Sequence, residues 1–354
     1  MGIAGDIAVV VVAAFAGGWV AQRLGQPLIL GYILAGVAVG PYTGGVSVSD
    51  PHQLELLAEI GVALLLFALG VEFSLRELRA VGRVALLGTP LQVALSAALG
   101  GGLGLALGWP PIAAAWLGGV AALSSTLVVL KVLTARGEVD SRPGRIMIGM
   151  LIMQDLLAVP MLILLPRLGD LAGGAAALAG VAVRAVGLVV LLVFVGGRVV
   201  PRVMAQIARW QSRELFLVAV TALGLGVAYL SWRAGLSFAF GAFLAGLVIS
   251  ESVYSHQALG DIIPLRDVFG MLFFVSVGML IDPAFVWDHL AVVVAVALVV
   301  LVGKALVVWL AVRGAGHPGA VAFTAALGLC GMGEFSFVFV REGTRSGALD
   351  AEHA

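Results

Sequence analysis

The chain has 354 residues, of which 61% are hydrophobic and only 11% are charged. This composition excludes a soluble globular protein and is typical of a polytopic membrane protein. The formal net charge is zero, so the charge does not indicate nucleic-acid binding, and the single cysteine excludes an internal disulfide framework.

Apolar segments separated by polar or glycine- and proline-rich joints predict twelve membrane spans. They cover residues 5–22, 27–40, 54–73, 83–107, 111–133, 145–166, 172–200, 213–231, 235–250, 264–281, 289–312 and 318–340. The first segment lacks a basic leader region, so we interpret it as a spanning helix and not as a cleaved signal. When the N-terminus is placed outside, most of the 20 lysines and arginines fall on the cytoplasmic side of the membrane. The positive-inside rule therefore predicts that both termini are outside.

The second and ninth spans share the pattern G-x-x-L-A-G, which indicates an internal repeat. The two segments are GYILAGVAVG (31–40) and GAFLAGLVIS (241–250), and they are offset by 210 residues. Gly70 and Gly278, in the spans that follow, are offset by 208. The copies are separated by an odd number of spans, so the repeat has inverted topology, which is typical of secondary transporters. The counterpart of the sixth span would lie beyond Ala354, so we expect a fragment or an absent thirteenth helix.

The sixth span, IMIGMLIMQDLLAVPMLILLP (146–166), has two polar residues at its centre, Gln154 and Asp155. Asp155 follows Arg145 by ten residues, and a rise of about 1.5 Å per residue places it roughly 15 Å deep in the membrane. An ionised carboxylate at that depth costs about 3 kcal/mol or more, and such acids usually belong to ion or proton sites. The alternative is a permanently protonated, hydrogen-bonded acid. Gln154 offers either a neutral oxygen ligand or an interhelical hydrogen bond.

Two spans have features of interrupted helices at positions that the repeat relates. Midway through the fifth span are three consecutive hydroxyl residues, Ser124, Ser125 and Thr126. The offset of 208 aligns them with residues 332–334 of the twelfth span, which has three glycines that predict a break, Gly328, Gly331 and Gly333. Matching interruptions in two halves of a transporter indicate the binding site. The alternative for the hydroxyls is bonding to carbonyls of the preceding turn.

Two further charges lie deep in the spans. Lys304 precedes Arg313 by nine residues, which places it about 13.5 Å from the side on which Arg145 lies. That distance is too long for the side chain to reach the membrane surface, so we expect an ion pair with Asp155 or a charge-balancing role near it. Glu334 lies beside the predicted second break and could be a ligand, an acid on the access path or a structural partner.

Several segments together resemble monovalent cation/proton antiporter family 2, and in particular its Kef-type potassium-efflux branch. They are GYILAGVAVGP, GVALLLFALGVEFS, ALSSTLVVLK, SHQALGDIIPLRDVFGMLFFVSVGMLID and GMGEFSF. The Gln154-Asp155 pair also favours this branch. So does the pattern of His256, Leu259, Asp261, Ile262 and Pro264 before the tenth span.

This resemblance implies an all-α inverted-repeat antiporter fold with two broken, crossing helices and about twelve of thirteen helices present. It divides the chain into a dimerising scaffold (1–82 and 213–287), an ion-carrying core (83–171 and 288–354) and a linker helix with a basic loop (172–212). The expected location is the bacterial inner membrane. The expected partners are the lipid bilayer, a second copy of the chain, and K⁺ or Na⁺ together with H⁺ as transported ions.

The predicted function is exchange of a monovalent cation for H⁺ by alternating access at Asp155. By resemblance, Gln154 and the two breaks would line the site, and Lys304 and Glu334 would be supporting charges. A cation channel of the same fold and a truncated chain without transport are the alternatives. An intramembrane aspartyl protease is disfavoured because it needs a second acid at the depth where this chain has Lys304. We expect no cofactor, no resident metal, no nucleic-acid partner, and no nucleotide or glutathione gating in this chain.

Overall fold

The computed structural model describes residues 3–44, 51–72, 84–168, 202–207, 209–234, 236–250, 252–333 and 335–349, with isolated positions 183, 187, 190, 194, 198 and 200. The regular structure of these residues is helical, and they contain no strand. The helices are α1 (Ile3–Arg23), α2 (Leu28–Val39), α3 (Pro51–Glu72), α4 (Thr89–Ala106), α5 (Pro111–Ala122), α6 (Thr126–Arg136), α7 (Arg142–Leu164), α8 (Arg213–Arg233), α9 (Phe238–Ser250), α10 (Ser255–Met279), α11 (Pro283–Asp288), α12 (Leu290–Gly314), α13 (Gly319–Leu329) and α14 (Phe335–Arg345). A π-helical turn, Val84–Gly88, leads into α4. The predicted all-α fold is confirmed.

Six helical segments among the described residues are long and apolar enough to cross a membrane. They are Ile3–Arg23, Val84–Ala106, Arg142–Leu168, Arg213–Arg233, Ser255–Met279 and Leu290–Gly314. Four shorter apolar helices accompany them, α2, α5, α9 and α13. The chain is therefore a polytopic membrane protein. The predicted seventh span and Arg184 within it lie almost wholly outside the described residues, so the total of twelve spans stays a prediction.

Two predicted spans, the fifth and the twelfth, are each divided into two helices. The fifth span contains α5 and α6, and the twelfth contains α13 and α14. The tenth span differs from its prediction, because α10 begins at Ser255 and not at residue 264. Pro264 lies inside this helix. A proline removes only its own N–H donor, and a helix supported by neighbouring helices can continue past it.

The described contacts divide the chain into two compact units. Unit 1 comprises Met1–Ser74 and Ala176–Asp288, and unit 2 comprises Leu75–Ala175 and His289–Ala354. Each unit therefore combines a segment from the first part of the chain with a segment from the second part. The scaffold and core roles that the resemblance implies stay predictions for these units.

The internal repeat is visible in the packing of unit 1. Gly36 of α2 lies against α10, where an added Cβ would overlap the Val275 carbonyl and the Cα of Gly278. Gly246 of α9 lies in the same way against α3, where an added Cβ would overlap the Phe67 carbonyl and the Cα of Gly70. Small residues let two membrane helices approach closely. The short helix of each copy thus crosses a long helix of the other copy at a pair of glycines.

An apolar cluster in unit 2 is built from the π-helical turn, α6, α7, α12 and α13. Its buried side chains are Val84, Val129, Leu133, Met147, Met150, Leu151, Val308, Val312, Ala322, Ala325, Ala326 and Leu329. The three alanines leave room for α13 to pack closely on its neighbours. Leu329 is the last residue of α13, so this cluster reaches the second helix break and supports it from one side.

Candidate ion site

Asp155 lies in the middle of α7. This helix is capped by Ser141, whose hydroxyl accepts a hydrogen bond from the Gly144 N–H at 3.0 Å. Pro143 lies in the first turn, where the main-chain N–H groups have no acceptor within the helix, so the missing N–H of proline costs no hydrogen bond. Asp155 is only 7% exposed, and Gln154 is completely buried. Both polar side chains of the predicted site are therefore buried, and their neighbours determine what they can bind.

The first break lies between Ala122, where α5 ends, and Thr126, where α6 begins. Leu123 and Ser125 have extended backbone conformations there. The helix ends at this point because the Leu123 backbone turns out of the helical path. The carbonyls of the last turn of α5 consequently lose their usual intrahelical donors.

The three hydroxyls of the first break each have a different role. The Ser125 side chain caps α6 by accepting a hydrogen bond from the Val128 N–H at 3.3 Å. The Thr126 hydroxyl donates to Oδ2 of Asp155 at 3.0 Å. Ser124 is buried, and its hydroxyl donates to the Leu329 carbonyl at 2.7 Å. The described bonds reach forward or across to other helices, and none of them goes to a carbonyl of the preceding turn.

The second break lies between Leu329, where α13 ends, and Phe335, where α14 begins. Gly333 approaches the first break so closely that an added Cβ would lie 2.5 Å from the Ser124 carbonyl oxygen. A Cβ at Gly331 would have nothing within 4 Å. Of the three predicted break glycines, only Gly333 is thus required by close packing at the break.

Gly328 does not belong to the second break, because it lies within α13. A Cβ there would overlap the Met147 sulfur of α7. The prediction misplaced it because a glycine that permits close helix packing has the same sequence signature as a glycine that ends a helix. Glu334, the predicted supporting acid, lies outside the described residues.

Lys304 of α12 joins the two breaks. Its side chain is completely buried, and its ammonium donates to the Leu123 carbonyl at 2.5 Å and to the Gly331 carbonyl at 3.2 Å. Carbonyls at helix C-terminal ends lack intrahelical donors and carry partial negative charge, so a cation is stabilised there. The described hydrogen bonds of Lys304 therefore go to the main chain at both breaks. The expected ion pair with Asp155 is not among them, because depth along a helix does not fix which neighbour a side chain meets.

A second serine bond mirrors the one from Ser124. Ser336, near the start of α14, is buried, and its hydroxyl donates to the Val120 carbonyl of α5 at 2.8 Å. Ser124 donates in the opposite sense, from the first break to the end of α13. Each broken helix therefore provides a hydroxyl that satisfies a carbonyl of the other. The sequence analysis missed Ser336, although it closely follows the predicted break.

Gln154 has both parts of its side-chain amide in hydrogen bonds. Its Oε1 accepts from the Ser124 N–H at 2.8 Å, and its Nε2 donates to Oε1 of Gln92 at 2.7 Å. These contacts correspond to the interhelical hydrogen-bond alternative for Gln154. Gln92 of α4 was also missed, although a lone glutamine in an apolar span is itself a signal of a buried polar contact.

The site thus consists of a buried carboxylate that is bonded to the first helix break, and of a second break that packs against the first. Oxygen ligands of this kind suit alkali cations. A carboxylate accepts either a proton or a cation, which is the chemistry that an exchange of the two ions requires.

The model of the sodium/hydrogen exchanger transmembrane family matches residues 10–353. The chain belongs to this family. It is 41% identical over 336 residues to the putative cation/proton antiporter YbaL of Escherichia coli, covering 92% of this chain and 60% of that protein. It is 38% identical over 345 residues to K(+) efflux antiporter 4 of Arabidopsis thaliana, covering 95% of this chain and 57% of that protein.

The fold has a solved counterpart in the sodium proton antiporter MjNhaP1 of Methanocaldococcus jannaschii. The TM-score is 0.74 at 15% identity, and the match covers 99% of this chain and 89% of that chain. These comparisons confirm the resemblance to Kef-type antiporters and the antiporter fold. The curated relatives are named as antiporters, which are transporters and not enzymes. The chain spans about three fifths of the length of the two curated relatives, at 60% and 57%.

Proposed function

We propose that this chain exchanges a monovalent cation for H⁺ across the membrane by alternating access, with Asp155 as the shared binding group. The observation that carries the proposal is a buried carboxylate within hydrogen-bonding distance of the first helix break, at 3.0 Å from the Thr126 hydroxyl. Family membership supports the class of transport, and the named residues are the part that we propose.

Competition at one carboxylate couples the two ions. A protonated Asp155 is neutral and can remain buried at low cost. A deprotonated Asp155 needs a cation, and the cation in turn excludes the proton. Either loaded form avoids an isolated charge in the membrane, whereas the empty carboxylate does not. The empty site is thus the costly state to move, and this difference favours exchange over a one-way leak.

The polar groups of the site are held together within unit 2. Three side chains hold the two breaks together. Ser124 and Ser336 each donate to a carbonyl of the opposite broken helix, and Lys304 donates to one carbonyl at each break. We propose that these bonds keep the site intact while unit 2 moves as one body, and that the two broken helices cross at this point. Unit 1 would serve as the scaffold and the dimerisation surface.

The transported cation is proposed to be K⁺ or Na⁺, since both are bound by oxygen ligands of this type. The name of K(+) efflux antiporter 4 favours K⁺, whereas MjNhaP1 is a sodium proton antiporter. We further propose the bacterial inner membrane as the location, with the N-terminus outside, as the distribution of lysines and arginines predicts.

The test is proton movement in proteoliposomes that contain a pH-sensitive dye, after a pulse of K⁺ or Na⁺. We expect the parent protein to respond to at least one cation and Asp155→Asn to lose the response. Asp140→Asn is the matched control, because Asp140 is exposed in the connection between α6 and α7. An Asp155→Asn protein that exchanges at the parental rate would remove Asp155 from the mechanism. Cation flux without proton movement would indicate a channel of the same fold.

A further inference from the structure

Gln92 of α4 has no role in the proposed exchange, yet its side chain is fully buried beside the first break. Its Nε2 donates to the Ala122 carbonyl at 3.2 Å and to the Ser96 hydroxyl at 3.0 Å, and its Oε1 accepts from Gln154. We infer that Gln92 is a positioning residue for the ion site: it orients the Gln154 amide and so holds the first break in its binding geometry. This inference rests on the proposed function and extends it to α4, which has no described hydrogen bond to Asp155.

The hydrogen bonds form a relay with a main-chain group at each end. One end is the Ala122 carbonyl, the last of α5, and the other is the Ser124 N–H, two residues later. The two glutamine side chains, Gln92 and Gln154, lie between these ends. The relay therefore closes a ring of hydrogen bonds around the turn at which α5 is interrupted.

The chemistry of the two ends leaves one orientation for both amides. A main-chain carbonyl only accepts, so Gln92 must present its NH₂ group to Ala122. Its oxygen then faces Gln154, which must respond with its own NH₂ group. The Gln154 oxygen is left to accept from the Ser124 N–H, which only donates. Flipping either amide would set two donors against each other at one of its two relay contacts and two acceptors against each other at the second.

The relay is connected to the ion site through residues that belong to it or lie next to it in the chain. Gln154 immediately precedes Asp155 on α7, and Ser124 bonds the second break through its hydroxyl. Leu123, between the two main-chain ends, provides the carbonyl that Lys304 contacts. An apolar residue at position 92 would leave the Ala122 carbonyl and the Gln154 NH₂ group without these partners. Gln154 would then be able to turn away from Ser124, which would loosen the break beside Asp155.

The test is a double-mutant cycle of Gln92→Met and Gln154→Met in the full chain. Methionine has a similar length without the donor and acceptor. Gln22→Met is the matched control, because Gln22 is exposed at the end of α1. Two quantities are measured for each protein: the thermal unfolding midpoint in detergent, and the half-saturating cation concentration with the maximal exchange rate in proteoliposomes.

We expect Gln92→Met to raise the half-saturating cation concentration by about tenfold, the scale of losing a buried hydrogen-bond partner. The maximal rate should change less, and Gln22→Met should match the parent. The double variant should be no worse than Gln154→Met, because the residues act through one relay. Additive effects, or a parental half-saturating concentration in Gln92→Met, would overturn the inference.

The two proposals fail in different ways. A parent protein without cation-driven proton movement refutes the proposed exchange. The relay is then judged by the unfolding midpoints, where Gln92→Met and Gln154→Met must still be non-additive. Additive midpoints refute the relay whether or not the parent protein transports.

Discussion

Gly333→Ala is the most direct perturbation of the contact between the two helix breaks. An added Cβ would lie 2.5 Å from the Ser124 carbonyl oxygen, 2.7 Å from the Ser124 carbonyl carbon and 2.9 Å from the Ser125 nitrogen. All three are main-chain atoms, so no side-chain rotation relieves the overlap. The second break must therefore move away from the first.

The expected cost is about 1–3 kcal/mol, which is typical of adding a methyl group to a closely packed site. Displacing the break also weakens the bond from Ser124 to Leu329, so exchange should fall together with stability. Neither Gly331 nor Gly333 is among the described glycines with positive φ. An alanine at either position is thus compatible with the backbone, and the loss comes from packing alone.

Gly331→Ala provides the matched control, since a Cβ there has nothing within 4 Å. Thermal unfolding of both variants in detergent should give a lower midpoint only for Gly333→Ala, by about 2–4 °C for each kcal/mol lost. Proton movement in proteoliposomes should follow the same order. Equal midpoints for the two variants would show that the breaks are not in contact as described, and the account of the site would then be wrong.

Two further predictions concern Lys304 and the glycine crossings. Lys304→Met would leave the Leu123 and Gly331 carbonyls without their donor, which should lower the stability by about 1–3 kcal/mol for each carbonyl. The loss is measured as a lower unfolding midpoint in detergent. A parental midpoint would mean that water or another donor replaces the ammonium. Gly36→Ala should lower the midpoint of unfolding because its Cβ overlaps main-chain atoms of α10. Gly102→Ala, in α4 with nothing within 4 Å of its Cβ, should leave the midpoint unchanged or raise it, because alanine stabilises a helix by up to about 1 kcal/mol relative to glycine. A similar loss in both glycine variants would contradict the packing described for unit 1.

The positions of the two breaks were predictable because they depend on local chemistry and on the repeat. The described helix ends are offset by 207 residues, from Ala122 to Leu329, and the following helix starts by 209, from Thr126 to Phe335. The offset of 208 predicted from Gly70 and Gly278 falls between these values. A repeat preserves the spacing of its elements, so one set of matched glycines is enough to locate a second interruption.

The partners of the buried polar side chains were not predictable in the same way. Counting residues from a charged end placed Asp155 and Lys304 at similar depths, but depth is one coordinate and carries no information about direction around the helix. In the structure, Lys304 bonds the Leu123 and Gly331 carbonyls. Those acceptors exist only because two helices stop at the same place.

The amino-acid sequence by itself indicated the membrane environment and predicted the approximate spans, the repeat and the central position of Asp155 in its helix, because hydropathy and spacing along the chain are one-dimensional properties. The tertiary structure alone decided which buried groups meet: Thr126 with Asp155, Ser124 with Leu329, and Gln92 with Gln154. These contacts join residues distant in sequence. Each is selected because a buried donor or acceptor in an apolar interior must find a partner among whatever groups the packing brings near it.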